Sequence, residues 1–173
     1  VANVEFAAVR AERNHPGAIG HKHFEENKNE FIFWSGLMLF NNQRFRDEEI
    51  FDKLLVNAKK HYTRLKFFDL DLVNITCDNI GFLPFKYCVL QGFYYNKDYH
   101  NVKEYEYLKD VYSDENIEWA IKNPAIVHYA GKPGKPWRMK HPYEDYFEYI
   151  KKIPSKLRKY TMRDIRKRLF SKV

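Results

Sequence analysis

Ten consecutive residues, Phe31 to Phe40, read Phe-Ile-Phe-Trp-Ser-Gly-Leu-Met-Leu-Phe and carry no charge. A run this apolar needs burial, yet it is about half the length that a membrane span requires. It reads as a buried strand, central in its sheet, with a bend at Ser35-Gly36. An amphipathic helix follows over residues 46–62, with Ile50, Phe51, Leu54, Leu55 and Ala58 at helical spacing. Asp47, Glu48 and Glu49 suit its N-terminal end, and Lys59, Lys60 and His61 its C-terminal end. The same alternation continues along the chain. Val4–Val9 is a short strand, residues 69–78 a short helix, and residues 82–90 an extended segment around Leu83-Pro84. Ser113 caps a helix running to Lys122, and a strand over 125–130 precedes a last pair of helices divided by Pro154. Residues 10–29 are polar and read as a loop. Residues 93–112, with Tyr94, Tyr95, Tyr99, Tyr105, Tyr107 and Tyr112 among charges, read as a mobile aromatic surface insert. Strands alternating with helices make the fold class α/β.

The chain has the length of one domain, 173 residues. Its net charge of +7 is not spread evenly. Residues 151–173 hold ten Lys or Arg and one acid, Asp164, so the other 150 residues carry a net −2. The division expected is therefore a domain over 1–153 and a basic amphipathic tail over 154–173. A tail of this kind meets an anionic surface. As a helix it lays Leu157, Tyr160, Ile165, Leu169 and Phe170 in one stripe flanked by Arg158, Lys159, Arg163, Arg166 and Lys167. That pattern suits the face of a membrane. Nucleic acid is not expected, because the basic residues are not interleaved with stacking aromatics across the body. Cys77 and Cys88 stand at no metal spacing, and a reducing compartment is the default. His15, His21 and His23 have no Cys or acidic partner at ligand spacing and are expected to be structural. The chain opens on Val1-Ala2-Asn3 without an initiator Met and reads as a piece of a longer protein.

The stretch with most chemistry is His128-Tyr-Ala-Gly-Lys-Pro-Gly-Lys-Pro-Trp137. The apolar run Ala125-Ile126-Val127 leads into it, and Gly131, Pro133, Gly134 and Pro136 force a tight loop. A neutral imidazole at a strand end suits Mn²⁺ or Zn²⁺, and the Lys135 ammonium suits a phosphate. Together they can hold a metal–diphosphate leaving group.

Three segments in order carry a resemblance. They are Phe33-Trp34-Ser35-Gly36-Leu37-Met38-Leu39-Phe40-Asn41, then Asp69-Leu70-Asp71-Leu72-Val73-Asn74, then the His128–Trp137 loop, with Phe82-Leu83-Pro84-Phe85-Lys86-Tyr87 before the last. Over residues 4–150 this resembles the C-terminal half of a family 8 glycosyltransferase, the retaining enzymes related to lipopolysaccharide galactosyl- and glucosyltransferases and to glycogenin. The resemblance implies the C-terminal portion of a GT-A fold, a Rossmann-like arrangement that binds nucleotide-diphospho-sugars. It implies that His128 ligates the metal and that Gly131 and Lys135 contact the diphosphate. Asp69 and Leu70 fall on the sugar-facing catalytic element, and Trp34, Ser35 and Gly36 on the strand that floors the donor site. Asp69-Leu70-Asp71 is formally an Asp-x-Asp, a pattern that suits a hard cation. In the family the metal Asp-x-Asp precedes the Ser-Gly strand, so the resemblance assigns this one to the sugar-facing element and implies a metal Asp-x-Asp upstream of Val1.

The sequence departs from the family pattern at four points. Trp34 stands where the family prefers Asn, Leu70 where it prefers Gln, and Cys88 where Asn follows Tyr87. The His-to-Lys separation is one residue longer than the commonest form. The resemblance implies transfer of glucose or galactose from a UDP-hexose to a saccharide or lipid-linked acceptor. The transfer would proceed with retention and with Mn²⁺ or Mg²⁺, in bacterial lipopolysaccharide or capsule assembly. The expected place is the cytoplasm, peripheral on the inner face of the membrane, and the isolated chain is expected to be inactive. The alternatives are a catalytically degenerate transferase domain and a basic-tailed membrane-surface binding module.

Overall fold

The computed structural model describes residues 3–96, 98–130, 135 and 144–157. It divides into two units, residues 1–128 and residues 129–173.

The first unit is built around a three-stranded sheet. β1 (Phe6–Arg13) lies between β2 (Phe31–Phe40), which is antiparallel to it, and β3 (Ile80–Leu83), which is parallel. A parallel pair, β4 (Val89–Leu90) and β5 (Val127–His128), forms a second small sheet. The helices are α1 (Asn42–Asp47), α2 (Ile50–His61), α3 (Asp69–Thr76), α4 (Gln91–Tyr95), α5 (Tyr105–Leu108) and α6 (Asp114–Lys122). Short 3-10 turns span Phe85–Cys88 and Tyr99–Asn101. One core gathers Val9, Ile32, Trp34, Leu70, Phe85, Phe93, Leu108 and Ile117 on one side of the sheet. The other gathers Phe6, Phe33, Phe45, Ile50 and Val73 under α1, α2 and α3. On the outer side of α2, Phe51, Leu55, Val56 and the following Tyr62 stay exposed.

Several expectations change. The strand read as Val4–Val9 runs on to Arg13 and takes the start of the expected loop with it. It can do so because its charges have partners. The Arg10 guanidinium sits 4.3 Å from the Phe31 ring and 4.1 Å from the Phe82 ring, and Glu12 is buried among backbone N–H groups. β2 is therefore an edge strand of the described sheet, and the central place belongs to β1. The helix expected over 46–62 is broken into α1 and α2 at Glu49, whose φ of 52° is left-handed. The strand expected over 125–130 shortens to Val127–His128.

The segment 93–112 is not a surface insert. Phe93 and Leu108 are fully buried, Tyr107 and Val102 nearly so, and the Tyr112 hydroxyl bonds the backbone of Arg10 on β1. Tyrosine here supplies core volume with a polar tip. The α6 cap is as expected, with Ser113 Oγ accepting from Asn116 N at 3.3 Å.

In the second unit, α7 (Glu144–Lys152) ends before Pro154, and residues 155–157 take a helical turn. The basic tail residues Arg158, Lys159, Arg163, Arg166 and Lys167 lie outside the described residues. Among the described residues no helix is long and apolar enough to cross a membrane. Cys77 and Cys88 are free and buried, and burial pushes both thiols up to about 12.

Candidate functional site

β2 organises the site. Its pairing with β1 jumps from Ala8↔Met38 to Arg10↔Phe33, so Trp34 to Leu37 face Val9 alone. This bulge lifts Ser35 and Gly36 off the ladder, at the bend that the Ser-Gly pair predicts. Gly36 is exposed and has His128 against it. A methyl group at Gly36 would stand 2.8 Å from Cε1 and 3.0 Å from Nε2 of the His128 ring. Only glycine lets that imidazole approach so closely. Two segments 92 positions apart thus meet at one point.

α3 hangs on the same strand. The Asn74 side chain accepts from Phe33 N at 2.9 Å and donates to Phe33 O at 2.8 Å and to Leu70 O at 2.8 Å. It takes the place of a neighbouring strand for one residue of β2. Asp71 is 1% exposed and accepts from Lys66 N at 2.5 Å and Phe67 N at 2.7 Å. These bonds hold Phe68 at a φ of 33°, a strained value for a bulky residue, immediately before Asp69. The two acids of Asp69-Leu70-Asp71 therefore part company. Asp71 points inward as a structural cap, and Asp69 is exposed at the first turn of α3. Leu70, placed by its motif on the catalytic element, turns its aliphatic side chain into the core beside Trp34.

Trp34 is buried too. Its indole Nε1–H donates to His21 Nε2 at 3.1 Å, and its ring packs on Phe85. His21 Nδ1 lies 3.1 Å from Glu12 Oε2. Glu12 also accepts from the backbone N–H groups of Ile19, Gly20 and His21 at 2.6–3.2 Å. Reading the sequence alone missed this network. One signal was present: a buried Trp needs an acceptor, and a neutral His is one of few side chains that can serve.

The family model described as glycosyl transferase family 8 matches residues 6–141. The chain belongs to glycosyl transferase family 8. Three solved structures are similar to it. The WbbM bifunctional glycosyltransferase in its apo form has a TM-score of 0.62 and 22% identity, over 95% of this chain and 30% of that one. An active-site mutant of LgtC has a TM-score of 0.55 and 17% identity, over 90% of this chain and 55% of that one. Galactosyltransferase LgtC in complex with donor and acceptor sugar analogues has a TM-score of 0.51 and 15% identity, with the same coverage. At these identities the likeness is one of fold, and the fold is GT-A. The chain spans about a third of WbbM and about half of LgtC. No curated protein matches it.

Among the family's motif positions, Trp34, Gly36, Leu70, Asn74 and His128 join contacts centred on β2. Ser35 is half-buried in the bulge. Gly131 lies outside the described residues. In the second unit, Lys135 Nζ donates to the carbonyl oxygen of Tyr129. Among the described residues no group of three or more His, Cys, Asp or Glu could hold a metal ion. His128 offers one imidazole, and Asp71 spends an oxygen on backbone N–H groups. These residues do not fit a metal by themselves.

Proposed function

We propose that the protein transfers a hexosyl unit, glucose or galactose, from a UDP-sugar to a saccharide or lipid-linked saccharide acceptor in lipopolysaccharide or capsule assembly. The observation that carries this reading is the meeting of Gly36 with His128. A glycine bulge meeting a strand-end imidazole suits the floor and one side of a donor site, and α3, whose first residue is Asp69, is bonded to the same strand through Asn74. LgtC, similar in fold, binds donor and acceptor sugar analogues. In this reading the exposed Asp69 carboxylate stabilises positive charge on the departing sugar, as carboxylates do in glycoside hydrolysis. Lys135 and the Gly131 backbone neutralise the diphosphate. Retention of configuration and a divalent metal, with His128 as one of its ligands, belong to the same reading. The domain over 1–153 would do the chemistry, and the tail over 154–173 would hold it on the anionic inner face of the cytoplasmic membrane.

The test is release of UDP from UDP-glucose and UDP-galactose in the presence of Mn²⁺, with and without EDTA. Turnover of either donor, lost on chelation and on Lys135→Ala, is the expected result for a protein that includes the upstream half. The isolated chain is expected to turn over neither. A second reading rests on one observation. Trp34 and Leu70 both lie in the core and offer no polar group to a sugar. A catalytically degenerate transferase domain would show donor binding without turnover in the longer protein. A membrane-surface binding module would bind anionic vesicles through the tail and no UDP-sugar.

A further inference from the structure

His21 is 8% exposed and meets β1, β2, α5 and the segment before α3. From β1, the Glu12 carboxylate faces its Nδ1. From β2, the Trp34 indole N–H faces its Nε2. From the segment before α3, the Phe67 ring lies 5.5 Å away, and the Lys66 charge acts on it. Asp71 of α3 acts on it in the opposite sense, and Tyr107 of α5 closes over it edge-on at 5.5 Å. A methyl at Gly20 would stand 2.5 Å from Tyr107 Cε1, so glycine is what allows that closure.

The hydrogen bonds fix the state of the ring. An indole N–H only donates, so His21 Nε2 must accept and the ring proton must sit on Nδ1, donating to Glu12. A protonated ring would set N–H against N–H at Trp34. Burial acts in the same direction, holding the imidazole below its ordinary range against the pull of Glu12.

We propose that His21 is a positioning residue: its neutral, Nδ1-protonated ring ties the Ser35–Gly36 strand to the segment that carries Asp69. Trp34 is the residue before Ser35, and Phe67 is two residues before Asp69. The ring touches both. It bears on the chemistry only through them, and in that respect it rests on the transfer reading above.

The test uses the full chain uniformly labelled with ¹⁵N, and a form with the upstream half for turnover. Long-range ¹H–¹⁵N spectra from about pH 8 to about pH 5.5 should keep His21 neutral with its proton on Nδ1. His21→Asn keeps a donor for Glu12 and loses the bond to Trp34. Its backbone amides should shift at Ser35, Gly36, Phe68 and Asp69 and stay in place on α6. Turnover should fall about tenfold or more in kcat with little change in donor KM, and Trp34→Phe should add nothing to His21→Asn in a double-mutant cycle. His21→Gln, whose carbonyl can reach the indole, should recover part of the loss. If His21→Asn does not fold, the wild-type titration and Trp34→Phe carry the test. Titration of His21 in the ordinary range, a proton on Nε2, or amide shifts confined to residues 12 and 19–21 would overturn the proposal. A longer protein that turns over no UDP-sugar would defeat the transfer reading alone, since the spectra decide the role of His21 independently.

Discussion

β1 and β2 lie side by side, and their sequences and surroundings run in opposite directions. β1 carries Arg10, Glu12 and Arg13, yet it is central and buried along most of its length. β2 carries no charge, yet its last residues, Leu39 and Phe40, are 45% and 43% exposed. The difference lies in partners. Each charged side chain of β1 meets something specific: two aromatic rings for Arg10, whose Nε is nonetheless buried without a hydrogen bond, three backbone N–H groups with an imidazole for Glu12, and Glu30 for Arg13. A strand's place in a sheet depends on what its charged groups meet as much as on how apolar it is.

That comparison breaks first at Glu12. Glu12→Leu keeps the bulk and strands the Ile19, Gly20 and His21 N–H groups. Denaturant unfolding should show a loss of about 3–5 kcal/mol, the scale of removing one member of a buried, hydrogen-bonded charge network. A loss under about 1 kcal/mol would mean that the loop relaxes to water and that β1 owes its place to its apolar residues alone. Asn74→Ala comes next. It removes the clasp on Phe33 and should lose about 2–3 kcal/mol, because the buried Phe33 N–H and two carbonyls lose their partner.

Much of the fold was legible in the sequence. The α/β class, the apolar strand over 31–40, the bend at Ser35-Gly36, the Ser113 cap and the order of the motifs all follow from local patterns. What escaped was long-range pairing. Glu12 and His21 look like loop residues until β1 is extended, and the tyrosines of 93–112 look like surface until Tyr112 reaches Arg10. The motif order indicated Gly36 and His128, but periodicity says nothing about Asp71 turning inward while Asp69 turns out.

His21 sharpens the comparison through pH. Its folded pKa lies below the ordinary value near 6.5, for which burial is the leading cause. Below that value the unfolded chain takes up a proton that the native chain refuses. The stability His21 contributes is therefore complete above about pH 6.5 and falls as the pH drops toward the folded pKa, at most about 1.4 kcal/mol per pH unit for one proton. Unfolding midpoints for wild type and His21→Asn should converge as the pH is lowered through this window. Parallel curves would show that the ring takes up its proton equally in the native and unfolded states.

Gly36→Ala has a smaller effect on stability and a larger one on the site. The added methyl meets the end of one side chain, the His128 ring, rather than backbone, so about 1 kcal/mol is expected. The His128 ring should move with it, seen as a change in its ¹⁵N shifts and in donor affinity.

The smallest effect belongs to the outer end of β2. Leu39→Ser places a hydroxyl on a residue that already meets solvent, opposite Ala7 on β1. Its backbone bonds to β1 do not depend on the side chain, and Phe40 beside it keeps its packing on Phe6 and Phe45. Unfolding should change by no more than about 0.5 kcal/mol, the range of ordinary surface substitutions. Set beside Glu12→Leu, the pair inverts the usual expectation: a charge in a strand matters several-fold more than a leucine in its neighbour. A loss of about 2 kcal/mol or more at Leu39 would mean that this end of β2 is buried in solution against something the chain's own described residues do not supply. In that case the apolar character of β2 would reflect a covered surface, and the contrast between the two strands would hold only for their inner halves.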